Sequence, residues 1–205
     1  PGVSQCQINE KTGMTFANGL RAILRQDPDI ISVGEIRDGE TAGIAMRSAI
    51  TGHLVMSTLH TNDAISAVYR LRDIGVEPWL VASALRGVIS QRLVRKICKT
   101  AYQPSEEELA LLGMPEDSQT TFYKGVGCPE CRHTGYVGRR AAFEILMVNR
   151  EVRRLVNDDA AYDELLAAAK KNGYRTMRDS CRDLVLRGIT TAEEAARTIN
   201  STMDE

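Results

Sequence analysis

The first half of the chain switches repeatedly between helical and strand-like spacing of its hydrophobic residues. Residues 15–25 carry apolar side chains along one helix face, namely Phe16, Leu20, Ile23 and Leu24. Short apolar runs over 29–34 and 53–59 then predict two strands. Strands separated by helices are typical of a parallel sheet, so the pattern over residues 1–97 predicts an α/β fold.

Capping signals set the expected helix ends in this region. One helix is expected over residues 63–74, with its N-cap at Thr61 or Asn62 and Gly75 just past its end. Pro78 suits the first turn of a further helix, whose apolar positions run to Val88.

The pattern changes after about residue 97. The next stretch holds three of the five cysteines and several glycines, which indicates short loops around a local tether. The last stretch opens with a strand-like run over 141–148 and is otherwise helical, with capping boxes at Thr190 and Thr191 before the final helix. The predicted division is 1–97 for the α/β part, 98–140 for a cysteine-containing subdomain and 141–205 for a helical C-terminal subdomain.

Composition and charge narrow the function classes. The 205 residues are 43% hydrophobic and 26% charged, with a formal net charge of −1. This charge argues against a generally basic nucleic-acid binder, and no run of about 18 apolar residues predicts a membrane helix. The start at Pro1-Gly2 carries no signal peptide and predicts a cut or processed piece. Five cysteines, an odd number, favour a reduced cytosolic setting with metal ligands.

The strongest local signal is the apolar run that ends at Gly34 and is followed by Glu35. Ligands of open α/β sheets bind beyond the carboxyl ends of the strands. A carboxylate held there can bind Mg²⁺-bound water or polarise an attacking water, as phosphoryl transfer to water requires. The alternative is a buried strand that ends at the surface with a merely solvated acid.

Two histidines flank the second predicted strand. His60 is expected at its carboxyl end, the edge predicted for Glu35, where it can hydrogen-bond a phosphate. His53 precedes the strand and is expected to point to the opposite face, so one shared metal is unfavourable. A structural pair, with His60 capping the next helix, is the alternative.

Arg21 and Arg25 lie four positions apart on one helix face, before the predicted strand that leads to Glu35. Guanidinium groups bind phosphate oxygens well, although a solvated helix face is the usual explanation of such arginines. The chain contains no Gly-x-x-x-x-Gly-Lys-Ser/Thr sequence. It therefore cannot form a phosphate cradle of that kind by itself.

Cys128 and Cys131 form a Cys-x-x-Cys pair in a glycine-rich loop, a common half of a zinc site. Cys98 is a candidate third ligand, and His133 is a candidate fourth that lies close to Cys131 in sequence. Bound zinc, a redox-active pair and an eroded site are all open from the residues alone.

Taken together, these segments resemble the secretion ATPases of the general secretory pathway protein E type and their type IV pilus assembly relatives. The ordered match extends over nearly the whole chain and is therefore highly specific. It comprises residues 19–29, 33–42, 51–63, 91–95, 128–131, 134–139 and 188–191.

The resemblance implies a partial RecA-like nucleotide-binding domain that uses ATP and Mg²⁺. Residues 30–35 correspond to the Walker B strand with Glu35 in the catalytic acid position, and His53 and His60 to the family's histidine box. Arg21 and Arg25 match arginines that approach nucleotide phosphates. The family is hexameric, cytoplasmic and peripheral to the inner membrane, where it docks on platform proteins and couples ATP hydrolysis to protein export or pilin polymerisation.

The chain departs from the family pattern in two ways. The Walker A loop and the acidic box after it are expected before residue 1, so the isolated chain is expected to hydrolyse ATP poorly. The family often has two Cys-x-x-Cys pairs, whereas the first pair is here the single Cys98. The implied Zn²⁺ site is therefore limited to Cys98, Cys128 and Cys131.

Rival functions share many of these residues. The cysteine segment favours secretion or pilus assembly over pilus retraction. A non-enzymatic module that binds a membrane-platform protein is an alternative for the isolated chain. A DNA-uptake or conjugation motor is a weaker one, because the near-neutral charge gives no support to direct nucleic-acid binding.

Overall fold

A computed structural model describes residues 2–115, 118 and 120–200. Within them the strands are β1 (Ile30–Val33), β2 (Leu54–Ser57), β3 (Gly87–Ile97), β4 (Lys99–Tyr102), β5 (Phe122–Gly125) and β6 (Tyr136–Met147). The α-helices are α1 (Phe16–Ile23), α2 (Gly39–Ile50), α3 (Ser66–Asp73), α4 (Pro78–Ala84), α5 (Glu106–Leu111), α6 (Arg150–Asn157), α7 (Tyr162–Lys171), α8 (Met177–Leu186) and α9 (Ala192–Asn200). This mixture agrees with the α/β class predicted from the hydrophobic pattern.

The chain divides into two compact units, each assembled from separate segments. The first unit comprises Pro1–Thr61, Ile65–Gly87 and Met147–Ala169. The second unit comprises Asn62–Ala64, Val88–Leu146 and Lys170–Glu205. The three-part division at 97/98 and 140/141 stays a prediction about domain organisation.

The first unit is built on the parallel pair β1 and β2, in which Ile30 lies opposite Leu54 and Val33 opposite Ser57. Helix α2 connects the two strands and packs against α1 and α4, and α4 also packs against α6. The two predicted strands are therefore present and adjacent. The helices contribute much of the buried apolar core: Ala42, Ala45, Val68, Leu71, Leu80, Val81, Val152 and Val156.

The second unit contains two further strand pairs, β3 with β6 and the antiparallel β4 with β5. Its core joins side chains from α5, α8 and α9 with those of the strands, including Val94, Phe122, Leu184 and Ile199. Among the described residues, no helix combines the length and the hydrophobicity that a membrane crossing requires.

Two expected helix boundaries differ from the observed ones. Helix α3 begins at Ser66, and its N-cap Ile65 makes no side-chain capping bond. The expected caps at residues 61 and 62 lie before this start, and the Ala64 amide between them and the helix donates to the buried carboxylate of Glu144. Helix α4 ends at Ala84 because the chain becomes extended and enters β3, which pairs with β6.

The C-terminal part also differs in detail from the sequence expectations. The expected strand over 141–148 is the second half of the longer β6, and the region 98–140 contains β4, α5 and β5 as well as loops. At the start of α9 the Thr191 hydroxyl accepts from the Glu194 amide, as a cap should. The Glu194 carboxylate, however, binds the Arg95 guanidinium, a tertiary partner that the local pattern does not reveal.

Candidate functional site

The candidate site lies at the carboxyl ends of β1 and β2. Hydrogen bonds continue past the last paired residues: the Thr58 hydroxyl donates to the Gly34 carbonyl oxygen at 2.7 Å, and the Ile36 amide donates to the Thr58 carbonyl oxygen at 3.1 Å. Because the strands are parallel, the residues that follow them meet at one edge. Glu35 and His60 are brought together in this way.

Glu35, Arg37 and His60 form the cluster that we call the Glu35 site. Arg37 Nη2 lies 2.5 Å from Glu35 Oε1, and His60 Nε2 lies 3.4 Å from Glu35 Oε2. The side chains of Arg37 and His60 are 68% and 90% exposed, whereas that of Glu35 is 22% exposed. The carboxylate thus lies partly buried near the strand end, whereas the two side chains that contact it are mostly exposed.

Electrostatics keep this carboxylate charged. The hydrogen bond from Arg37 lowers the pKa of Glu35 below its ordinary value, the desolvation that burial brings opposes this effect, and His60 lowers the pKa further. An acid with a lowered pKa is a weak proton acceptor at neutral pH. The site is therefore better suited to orienting water or holding a cation through an oxygen than to removing a proton as a strong base.

The segment after Glu35 explains the next residues of the motif. Asp38 is the N-cap of α2 and accepts from the amide and the hydroxyl of Thr41 at 2.8 and 2.9 Å. A Cβ atom at Gly39 would collide with the carbonyl oxygen of Ile74 at the end of α3. Only glycine permits this close approach of α2 to that carbonyl, which fixes the helix that follows the Glu35 site.

The other residues predicted to contact nucleotide are not gathered at Glu35. Arg21 on α1 donates to Glu40 at 2.6 Å, and Arg25 is exposed. The His53 ring nitrogen Nδ1 lies 3.0 Å from the Ser48 carbonyl oxygen near the end of α2. His53 precedes β2 and His60 follows it, so the two histidines lie at opposite ends of the strand.

The three predicted metal ligands do come together, in the second unit. The Sγ atoms of Cys98, Cys128 and Cys131, which we call the cysteine cluster, all lie within 4.8 Å of one another. Tetrahedral zinc with Zn–S bonds of about 2.3 Å places its sulfur ligands about 3.8 Å apart. The spacing in the cluster therefore fits one zinc ion.

The loop around the cluster prepares one sulfur for metal binding. Burial raises the pKa of Cys131, but backbone N–H groups of Cys128 and Gly135 bond to its sulfur and the net effect lowers the pKa to about 7. Metal binding requires the thiolate, so this shift favours a metal site. His133 is exposed and, within the residues that the structure describes, does not belong to the cluster.

Sequence reasoning assigned no separate role to Arg37, although it makes the shortest contact to Glu35. It also missed Thr58, whose hydroxyl holds the two strand ends together. A signal for Arg37 existed in its position two residues after Glu35. The role of Thr58 depends on strand register, which the sequence does not display.

Comparisons with known proteins agree with this architecture. The family model of "Type II/IV secretion system protein" matches residues 1–197. A type IV pilus assembly ATPase, PilB of Thermus thermophilus, is 50% identical over 97% of this chain and 23% of its own length. Type II secretion system protein E of Pseudomonas aeruginosa is 48% identical over 96% of this chain and 39% of its own length.

Two solved structures share the fold. The pilus retraction motor PilT with bound ADP has a TM-score of 0.63 and 32% identity, covering 90% of this chain and 43% of its own. The Legionella pneumophila ATPase DotB has a TM-score of 0.63 at 24% identity, covering 91% of this chain and 42% of its own. These likenesses confirm the predicted class, a partial RecA-like α/β domain followed by a cysteine-containing and a helical part.

The chain spans less than half the length of each of these relatives. Within that span the match includes the β1 and β2 strands, the Glu35 site and the cysteine cluster. The resemblance drawn from the motifs is thereby confirmed: the chain belongs to the type II/IV secretion system protein family.

Proposed function

We propose that this chain is the C-terminal part of a motor that, in the complete protein, couples ATP hydrolysis to protein export or pilin polymerisation. The observation that supports it most directly is the Glu35 site: an ionised carboxylate at the end of a parallel strand, held between a guanidinium and an imidazole. Secretion and pilus ATPases among the relatives supply the reaction class.

Each residue of the site has a role in this proposal. Glu35 orients the water that attacks the γ-phosphate, and Mg²⁺ bound with ATP supplies the charge neutralisation that phosphoryl transfer needs. His60 responds to the γ-phosphate by exchanging its contact with Glu35. Arg21, Arg25 and His53 bind nucleotide phosphates, the arginines from the exposed side of α1 and of the turn that follows it.

An exposed apolar face supports the view that a further part of the complete protein covers β1 and β2. Ile30, Leu54 and Met56 are all exposed on this two-stranded parallel pair. Parallel sheets in proteins are normally covered on both faces. In the proposal, the rest of the sheet and the phosphate-binding loop lie in a part of the complete protein outside these residues. The isolated 205-residue chain then hydrolyses ATP poorly, and turnover by it equal to that of the complete motor would contradict this.

The assembly follows the family resemblance. The complete protein forms a homo-hexamer, acts in the cytoplasm at the periphery of the inner membrane, and docks on platform proteins of the secretion or pilus machine. No direct contact with nucleic acid is proposed, in keeping with the net charge of −1.

Substitution of Glu35 by Gln in the complete motor tests the catalytic proposal. The amide keeps the size of the side chain but not its charge, so we expect ATP binding to persist and kcat to fall roughly 100-fold or more. The matched control is Glu77→Gln, an exposed acid that precedes α4. ATP hydrolysis and nucleotide affinity are measured for both; wild-type kcat in Glu35→Gln would remove Glu35 from the mechanism.

Zinc binding by the cysteine cluster belongs to the same proposal. The ion ties the Cys128–Cys131 loop to Cys98 at the end of β3 and has a structural role. Protein purified without added zinc is expected to hold about one zinc ion per chain, and Cys128→Ser to hold almost none. Cys6→Ser is the control because Cys6 is exposed and outside the cluster. Wild-type protein that is free of zinc by elemental analysis would contradict the assignment.

A further inference from the structure

The cysteine cluster offers three sulfur atoms, whereas a structural zinc site in a protein has four ligands. Within the described ranges 2–115, 118 and 120–200, no further cysteine, histidine or acidic side chain belongs to the group. The two other cysteines have different surroundings, because Cys6 is exposed and Cys181 is fully buried in the hydrophobic core of the second unit. The cluster therefore differs from a closed site of four cysteines.

The lack of a second Cys-x-x-Cys pair at Cys98 has a structural reason. In the pair that is present, a tight turn lets the Cys128 amide donate to the Cys131 sulfur at 3.0 Å. Cys98 instead lies between the end of β3 and the start of β4. Extended chain advances about 3.3 Å per residue, so positions three residues away lie roughly 10 Å from Cys98 along these strands. Those positions hold Arg95 and Ala101, which provide no sulfur ligand.

His133 is the candidate fourth ligand that stands closest to the cluster in sequence. Its backbone amide donates to the Cys128 carbonyl oxygen at 3.0 Å, and its φ of 61° lies in the left-handed region. The residue thus closes the turn after Cys131 through its backbone. Its side chain is exposed and is not part of the described cluster.

The three sulfurs are held together without a further ligand. Cys98 Sγ lies 3.4 Å from Cys128 Sγ, and the Cys98 amide donates to the Gly135 carbonyl oxygen at 2.9 Å. The Gly135 amide in turn donates to Cys131 Sγ at 3.3 Å. Cys131 is buried, whereas Cys98 and Cys128 are half-buried. Solvent therefore reaches the cluster on the side of these two residues.

We propose that this chain gives zinc three ligands, Cys98, Cys128 and Cys131, and that the fourth position takes a small thiol from solution. The inference rests on the proposed zinc binding and names the additional ligand of that site. Three thiolates form a soft ligand set, and zinc in such sites accepts a further thiolate readily. On binding, the thiol gives its S–H proton to solvent and one water molecule leaves, so atoms and charge balance.

Cobalt(II) put in place of zinc in the complete motor tests the inference by absorption spectroscopy. The protein is kept reduced with a phosphine, and N-acetylcysteine is the thiol. The thiolate-to-cobalt absorption should rise by roughly one third, because the number of cobalt–sulfur bonds goes from three to four. Cys6→Ser is the matched control and should respond like the wild type, since Cys6 lies outside the cluster. An unchanged spectrum overturns the inference.

His133→Ala tests the ligand that the chain itself could supply. Because the His133 side chain is exposed and outside the cluster, the variant should give the wild-type cobalt spectrum before the thiol is added and the same rise afterwards. A variant spectrum that differs before addition would show that His133 is the fourth ligand. That result also overturns the inference.

X-ray absorption of the zinc-loaded complete motor covers the case in which cobalt does not enter the site. Zinc should have about three sulfur neighbours and one oxygen or nitrogen neighbour without the thiol, and about four sulfur neighbours with N-acetylcysteine. Four sulfur neighbours before addition, or three after it, contradict the inference. Protein that binds neither metal contradicts the zinc proposal as well. Bound zinc that does not respond to the thiol leaves that proposal intact and removes only the fourth ligand.

Discussion

The Glu35 site and the carboxylate of Glu194 show two ways of holding an acid beside arginine. At the Glu35 site the arginine and histidine are mostly exposed, and one short contact dominates. Glu194, in the second unit, is 2% exposed and binds the Arg95 amide, the Arg95 guanidinium and Arg197. The first carboxylate is therefore partly accessible to solvent, and the second is not.

The contrast separates a candidate reactive group from a structural one. Both acids have a lowered pKa, so the direction of the shift does not distinguish them. The difference lies in the exposure of the two acids, 22% for the Glu35 side chain and 2% for that of Glu194, and in the number of bonds that each carboxylate makes. Arg95 also stacks on the Tyr136 ring, with its guanidinium carbon 4.0 Å from the ring centroid. This contact holds the Arg95 side chain of β3 against Tyr136 of β6.

Replacement of Arg95 by Ala should give the larger effect on stability. The buried Glu194 carboxylate then loses two guanidinium bonds, which should lower the free energy of unfolding by roughly 2 kcal/mol. Chemical denaturation at neutral pH measures it. Arg197→Ala is the control, because Arg197 is more exposed and makes a single bond to Glu194, so a smaller loss is expected.

Acid should weaken the same interaction in the wild type. The pKa of Glu194 is lower in the folded protein than in the unfolded chain. The ionised carboxylate therefore makes its full contribution to the free energy of unfolding above the unfolded-state pKa, and this contribution is lost as the pH falls through the folded-state pKa. Arg95→Ala should therefore show a weaker loss of stability on acidification below about pH 4.5. Equal acid sensitivity of the two proteins would show that the Arg95–Glu194 pair does not carry this effect.

Replacement of Arg21 by Ala should give the smallest change in stability. Arg21 and Glu40 form an ion pair between side chains that are 49% and 63% exposed. Such pairs contribute roughly 0.5 kcal/mol or less to the free energy of unfolding. If Arg21 binds nucleotide in the complete motor, the KM for ATP should rise several-fold with stability unchanged. A large loss of stability would instead show that Arg21 has a structural role, as Arg95 has beside Glu194.

Much of the first unit could be predicted because its signals are local. The apolar runs that became β1 and β2 and the amphipathic face of α1 follow from side-chain periodicity. The approach of Glu35 to His60 followed from the rule that parallel strands present their carboxyl ends at one edge. The approach of Cys98 to Cys128 and Cys131 was expected from the family resemblance, and the structure brings the three sulfurs together.

The sequence by itself determined the candidate residues and their order along the chain: an acid after one apolar strand, a histidine after the next, and cysteines at metal-binding spacing. Tertiary packing alone decided which donors each acid receives, because Ala64, Arg95 and Met177 reach their carboxylates across 80, 99 and 33 positions of chain. Periodicity and capping describe neighbours within a few residues. Hydrogen bonds over such distances exist only once the strands and helices have packed. The donors that bind Glu144 and Glu194 could therefore not be predicted from the sequence.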